Sequence, residues 1–384
     1  VSVTAWWQAE EARARFLADL IAAEVARLRP GEPAAAPLDM LDSIELLSVA
    51  AAVSEALHLH ESGIEDLLLA HRRIEDWRAI AREALTRFDA AITFRTSGST
   101  GEPKPCTHAL ARLEAEAAGH AGLIGPRQRV LSAVPSHHIY GFLFTQLLPR
   151  HLGGLPVLDL RGTSPAGVAA KLQPGDLLIG HPAWWGAVAR FAPGALPPDI
   201  IGVTSTAPCP PATAMALRDR GLARLVQVYG SSETAGIGWR DTPDGPFTLL
   251  PSWTRDGEAI AAPDHLTFLP CGRRFTIGGR ADGAVQVAGH NVFPARIRAA
   301  LEAHPAVAAA SVRLMRPEEG DRLKAFIVPR DPASDLAVLR GTLAAWAEAT
   351  LAPPERPRAW RFGAGLPEGA MGKAADWSCL AEAG

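Results

Sequence analysis

The run "TFRTSGSTGEPKPCTHAL", which starts at Thr93, places Thr96, Ser97, Gly98, Ser99, Thr100, Gly101 and Lys104 within nine residues. Glycines let backbone N–H groups turn toward an anion, hydroxyls donate further hydrogen bonds, and a lysine adds charge. Such a set suits a triphosphate. It is not the GxxxxGK[ST] loop, a spacing found nowhere in the chain; a plain Ser/Thr/Gly turn is the competing reading. Lysine itself is scarce. Of 38 Lys and Arg residues only four are lysine: Lys104, Lys171, Lys324 and Lys373. A chain so biased toward the planar arginine fork keeps lysine where a compact charge on a flexible stem is needed. Lys373 stands near the C-terminus in "LPEGAMGKAADW". Tyrosine is rarer still, with only Tyr140 and Tyr229.

The stretch "TSGSTGEPK" resembles the phosphate-loop signature of the acyl-adenylate-forming enzymes, which include acyl-CoA synthetases, peptide-synthetase adenylation domains and luciferases. Four further signatures follow in the family's order. "PSHHIYGF" is similar to the His/aromatic motif lining the acyl pocket, with His138 at the matching histidine. "VQVYGSSETAG" resembles the YGxTE signature, with Ser232 in place of the usual Thr. It implies that Tyr229 stacks on adenine beside Gly230 and Ser231, and that Glu233 holds Mg2+, a hard cation suited to carboxylate oxygen. "GGRADGAVQVAGHNVFPARIR" is similar to the hinge region, with Arg280, the hinge residue Asp282, and Gly289 on the loop that meets the thiol acceptor. "LPEGAMGK" resembles the closing motif, whose lysine matches Lys373. The resemblance covers roughly residues 90–384 and departs from the family in three places. The phosphate loop lies unusually near the N-terminus. A plain TGD motif for the ribose is missing, and Asp264, 16 residues before Arg280, is the nearest candidate. Gln286 replaces the lysine usual after the hinge.

The elements that must position these residues change character along the chain. Residues 8–29 space Phe16, Leu17, Leu20, Ile21, Val25 and Leu28 as one face of a helix ending at Pro30. Helical patterns continue to residue 86. From residue 90, strand-like runs such as "RVLSAVP", "GDLLIG", "DIIGVTS" and "RLVQVYG" alternate with helical ones, as in α/β layers. After residue 280 the pattern resets to "GAVQVAG", "AAASVRLM" and "LKAFIVP" as strands, with "PARIRAALEAH" and "SDLAVLRGTLAAWAEATL" as helices. The expected fold is α/β: an all-helical carrier-like domain over residues 1–86, a truncated adenylate-forming large domain over 87–280, and a small mobile α/β domain over 281–384.

Within the first unit, "LDMLDSIELLSVAAAVSEAL" resembles an acyl carrier protein, which carries phosphopantetheine on the Ser of an Asp-Ser-Leu motif. The match is Asp42-Ser43-Ile44, and it implies 4′-phosphopantetheine on Ser43. The same residues also read as a simple D-x-x-E capping box, Asp42 with Glu45, which needs no modification.

A net charge of −3 gives no reason to expect nucleic acid or an anionic membrane as partner, and no apolar run nears the roughly 20 residues that span a bilayer. The N-terminus lacks a signal-peptide pattern, and Cys106, Cys209, Cys271 and Cys379 fit neither a metal site nor a disulfide scaffold, so a cytoplasmic location is expected. Trp184, Trp185, Trp239 and Trp253 are candidates for an aryl pocket, although aromatics at such spacing are more often core. Taken with the resemblance, the expected function is ATP-dependent ligation of a small carboxylic acid to a thiol, either coenzyme A or an acyl carrier protein. The alternative is a non-catalytic nucleotide- or acyl-binding protein, or a carrier-docking one.

Overall fold

The structure is a computed structural model that describes residues 4–30, 37–96, 104–253, 260, 262–280, 283–316, 318–367 and 375–379. Helix α1 spans Glu10–Leu28, and its apolar stripe of Phe16, Leu17, Ile21 and Val25 is buried. Helix α2 (Ser43–Leu57) starts at the capping box. Asp42 accepts the N–H groups of Ile44 (2.8 Å) and Glu45 (2.9 Å), and Glu45 accepts that of Asp42 (2.9 Å). Arg29 grips Glu45 at 2.6 and 2.7 Å, and these charged hydrogen bonds hold its carboxyl down to about 2. A short turn α3 (Leu67–Ala70) and helix α4 (Ile74–Arg87) follow; the Trp77 indole of α4 donates to the Leu68 and His71 carbonyls at 3.0 and 2.9 Å.

These helices do not form a domain of their own. A single apolar cluster runs from Trp6, Phe16, Val53 and Trp77 into Phe94, Phe142, Ile179, Val203 and Val226. Phe142 is its joint, meeting Trp6, Phe16 and Phe94 edge-on at 5.0, 5.6 and 5.4 Å. The first compact unit is Val1–Ala262 with Leu266–Ile277, so the helices and the sheet after them are one body. The expected carrier-like domain is therefore corrected. Ser43 is an exposed first-turn residue of a capped helix, and its surroundings support the capping reading alone.

Strands β1 (Ala91–Thr96) and β2 (Lys104–Ala109) form an antiparallel hairpin. Helix α5 (Leu110–Ile124) leads into a nine-stranded sheet of β3 (Val130–Ser132), β4 (Val157–Asp159), β5 (Leu177–Gly180), β6 (Ile201–Thr204), β7 (Arg224–Ser231), β8 (Ala235–Arg240), β9 (Phe247–Leu249), β10 (Asp264–Phe268) and β11 (Arg274–Arg280). Its order is β10-β11-β9-β8-β7-β6-β5-β3-β4. Strands β4, β3, β5, β6 and β7 are parallel, while β7, β8, β9 and β11 pair antiparallel. Alternate residues of the parallel strands face opposite cores, as the two-residue period of a strand requires. Val130, Leu177, Ile179 and Val226 join the helical front, α5 and the segment after β3. Leu131, Leu178 and Leu225 join the second core with Val168, Trp185 and Leu217, from α8 (Pro165–Lys171), α9 (Pro182–Phe191) and α10 (Pro211–Asp219). The segment after β3 is α6 (Ile139–Phe142), a π-helical turn (Leu143–Leu147) and α7 (Leu148–His151). Trp184 and Trp185 serve the second core, and Trp239 and Trp253 pack against other apolar clusters, so the tryptophans are chiefly core.

The second compact unit is Pro263–His265 with Gly278–Gly384. It contains the hairpin β12 (Val285–Val287) and β13 (His290–Val292), α11 (Pro294–Glu302), and a three-stranded sheet of β14 (Val307–Leu314), β15 (Leu323–Pro329) and β16 (Ala359–Phe362), with β15 central. Helix α12 (Leu336–Thr350) closes its core through Leu339 and Leu343. Among the described residues, no helix is long and apolar enough to cross a membrane.

One glycine sets the path after β3. A Cβ on Gly141 would lie 1.8 Å from the Pro135 carbonyl oxygen, so only glycine lets α6 cross its own entry loop. Gly141→Ala is expected to lower stability by at least the ~1–3 kcal/mol of an overpacked core site, read as a lower denaturation midpoint in urea.

Candidate functional site

The hairpin places Thr96 directly opposite Lys104 at its open end. Ser97, Gly98, Ser99, Thr100 and Gly101, between them, lie outside the described residues. The helical front braces this hairpin. Arg95 pairs with Glu55 of α2 and, at 3.7 Å, with Glu24 of α1. Thr93 Oγ1 lies 2.8 Å from Thr107 Oγ1 and 2.9 Å from the Nε2 of His58, the left-handed C-cap of α2. On the other side, buried His108 of β2 donates to the Ser232 carbonyl at 2.7 Å, tying the hairpin to the β7–β8 turn.

That turn carries the second group of expected residues. Gly230 is obligatory, since a Cβ there would lie 2.1 Å from the Ala235 carbonyl oxygen. Thr234 Oγ1 accepts the Ser231 N–H at 3.1 Å, and Ser231 Oγ accepts the Thr234 N–H at 3.2 Å. Helix α5 holds the far end: Arg112 donates to the Thr234 carbonyl at 3.1 Å, and buried Glu116 accepts the Gly236 N–H at 3.0 and 3.1 Å. Glu233 is left exposed, with no hydrogen bond or ion pair among the described residues. Its charge reaches β2: the Cys106 thiol is pushed up by burial first and by Glu233 second. Tyr229 is half-buried and meets Phe247 and Phe275 at 5.7 and 5.8 Å.

The third group follows β3. Buried Asp19 of α1 accepts the Ser136 N–H at 2.7 Å and hydroxyl at 2.6 Å, and pairs with Arg161 at 2.6 Å. This contact fixes the loop that presents His137 and His138, whose rings lie 4.1 Å apart. Burial, then the neighbouring imidazole, lowers His137 to about 3. His138 keeps an exposed edge, yet desolvation by the protein around it lowers its pKa as well. Both rings are neutral at pH 7. The Tyr140 hydroxyl lies 2.9 Å from the Gly180 carbonyl and 3.0 Å from that of Val203, joining α6 to the carboxyl ends of β5 and β6.

These groups lie at or beyond the carboxyl ends of β3, β5, β6 and β7 or on the β1–β2 hairpin, and the carboxyl ends of the strands are where open α/β sheets take their ligands. Two further residues mark the same edge. Thr204 Oγ1 is buried without a partner among the described residues, and Thr206 has φ +80°, a conformation rare for a β-branched residue. Sequence patterns carry no signal for either; an orphaned hydroxyl and a strained backbone are visible only in three dimensions.

The remaining expected residues belong to the second unit. Asp264 opens β10 and is half-buried; Arg280 closes β11. Gly289 follows Ala288 in the β12–β13 turn with φ +83° after +50°, the pair of positive values of a tight type I′ hairpin. Asp282 and Lys373 lie outside the described residues. Among the described residues, no cluster of three or more His, Cys, Asp or Glu side chains forms a metal cage. A lone exposed carboxylate such as Glu233 fits a magnesium ion that arrives on a polyphosphate and needs one or two protein oxygens.

The family model described as AMP-binding enzyme matches residues 8–257, and that of the AMP-binding enzyme C-terminal domain matches residues 297–373. The chain is 42% identical to the 4-coumarate--CoA ligase of Rhodobacter capsulatus, over 88% of this chain and 89% of that protein. It is 40% identical to the enzyme of the same name from Cereibacter sphaeroides, over 88% of this chain and 83% of that protein. A solved o-succinylbenzoate CoA synthetase from Bacillus subtilis shares the fold, with TM-score 0.57, 18% identity, and coverage of 95% of this chain and 91% of that one. The chain belongs to the AMP-binding enzyme family, and with it to the ATP-dependent acid–thiol ligases that work through an acyl-adenylate. The alternative of a non-catalytic binding or docking protein gives way to this result. The match begins at residue 8, so the helical front is part of the AMP-binding region, as the shared core requires.

Two outcomes are expected. Asp19→Ala should cost about 2 kcal/mol, the size of a charged hydrogen bond, and lower kcat/KM by loosening the His137–His138 loop. His137 has a folded pKa of about 3 against 6.5 for an unperturbed histidine, so between these values the unfolded chain binds a proton that the folded chain does not. Stability should therefore fall as pH drops from about 6.5 toward 3, and His137→Phe should flatten that slope by up to about 1.4 kcal/mol per pH unit in urea titrations.

Proposed function

We propose that the chain activates a hydroxycinnamate-type aromatic acid with ATP and passes the acyl group to coenzyme A. The observation that carries this reading is the 42, 40 and 38% identity to three 4-coumarate--CoA ligases over 86–88% of this chain. The neutral His137–His138 pair supports it, because an uncharged lining suits an acid with an apolar body better than one with a second carboxylate. A carrier-protein acceptor and phosphopantetheine on Ser43 have no support in these relatives' names or in the capped helix around Ser43.

In the first half-reaction a substrate carboxylate oxygen attacks the α-phosphorus of ATP, and the bond to the bridging oxygen of pyrophosphate breaks. The protein's work is positioning and charge neutralisation. Thr96, Ser97, Gly98, Ser99, Thr100, Gly101 and Lys104 hold the β- and γ-phosphates. Tyr229 with Gly230, Ser231 and Ser232 takes the adenine side, and Asp264 and Arg280 take the ribose. His138 borders the acyl group. Magnesium, when bound, neutralises phosphate charge, with Glu233 as its protein ligand. Lys373 bridges the substrate carboxylate and the α-phosphate. In the second half-reaction the thiol sulfur attacks the acyl carbon and AMP leaves, with Asp282 as the hinge and Gly289 on the thiol-facing loop.

The test is ATP–pyrophosphate exchange with 4-coumarate, cinnamate, acetate and a long-chain fatty acid. Exchange should be fastest with the aromatic acids, and Lys373→Ala should slow it on the order of 10²–10³-fold. Exchange confined to aliphatic acids would overturn the substrate class, and none with any acid would overturn the activity.

A further inference from the structure

Lys324 is the second residue of β15, the central strand of the second unit's sheet, and has no exposed surface. A buried lysine is costly unless it is fully paired, and an apolar residue would fill a central strand more cheaply. Its partners explain its retention. Its ammonium donates to Glu319 Oε2 at 2.7 Å and to the Trp377 carbonyl at 2.5 Å, and pairs with Asp376 Oδ1 at 3.0 Å. An ammonium has three N–H donors, and here there are three acceptors. Its nitrogen also lies 5.3 Å from the centre of the Trp377 ring, within range of a cation–π contact.

Two of those three acceptors belong to the segment 375–379. The same segment is tied down by other members of the cluster. Glu319 accepts the Cys379 N–H at 2.7 Å, Arg316 binds Asp376 at 2.7 Å, and Trp377 is buried edge-on against Phe326 at 5.6 Å. The Ala375 N–H donates to the Pro367 carbonyl at 2.9 Å, so the chain leaves and re-enters this anchored point on either side of residues 368–374. Lys373 is two residues before Ala375 and three before Asp376.

Docking of the tail and pairing of Lys324 are therefore one event. If Asp376 and Trp377 leave, the buried ammonium keeps Glu319 alone, and that penalty holds the tail in place. We propose that Lys324 is a positioning residue for Lys373: its buried ammonium clamps the segment next to Lys373, and through it sets where that lysine can reach. The inference rests on the proposed role of Lys373 in adenylation.

The test uses the full chain. Lys324→Met is compared with Lys373→Ala and with the double variant, using an acid the wild type accepts in pyrophosphate exchange. Lys324→Met should lower the kcat of exchange about 10–100-fold with little change in KM for ATP or acid. Thioester formation from a chemically prepared acyl-adenylate and coenzyme A should stay within about twofold of wild type. The double variant should be no slower in exchange than Lys373→Ala. Asp376→Asn, which alters only the tail side of the clamp, should show the same selective loss, and it carries the test should Lys324→Met not fold. Normal exchange in both clamp variants beside an impaired Lys373→Ala would overturn the clamp, as would equal losses in both half-reactions. Normal exchange in Lys373→Ala would overturn the underlying role of Lys373 instead.

Discussion

A parallel sheet has to be covered on both faces, and that requirement organises the first unit. Strands β4, β3, β5, β6 and β7 present apolar residues to either side in alternation. One side is closed by α8, α9 and α10, and the other by α5, the segment after β3, and the helices from residue 10 to residue 87. The helical front buries its apolar stripe in the same cluster as the sheet. Phe142 completes the arrangement by filling the space between Trp6, Phe16 and Phe94.

The same cover supplies polar contacts that aim functional groups. Asp19 reaches through the apolar layer to the Ser136 backbone and so sets the histidine loop. Glu24, Glu55 and His58 brace the hairpin strands on either side of residues 97–103. Glu116 and Arg112 of α5 hold the turn beside Glu233. Asp19, Glu24 and Glu116 are buried and Glu55 and His58 half-buried, each satisfied by its partner, and separating such a pair leaves a polar atom unpaired away from water. In the second unit the Lys324 cluster applies the same physics to a tail segment.

Much of the candidate site was legible because its chemistry is local. A phosphate loop needs glycines, hydroxyls and a lysine close together in sequence, and the five signatures follow one another in order. The strands and helices of both α/β stretches were readable from their periodicity. The helical front is open to misreading for a physical reason: amphipathic helices look alike whether their apolar stripe faces its neighbours or a distant sheet. The capping box at Asp42 satisfies the same Asp-Ser pattern as a carrier site, and only its hydrogen bonds and the shared core decide between them.

By itself the sequence determined the reaction class, the order of the motifs and the local elements that carry them, since these depend on residues a few positions apart. Tertiary structure decided which body the first helices join, that Asp19 positions the histidine loop 117 residues later, and that Lys324 is clamped to a tail 53 residues away. It also decided that Thr206 is strained and that Thr204 is left without a partner among the described residues. Those facts depend on which apolar faces meet and which buried polar groups find one another, and no local pattern in the chain encodes that pairing.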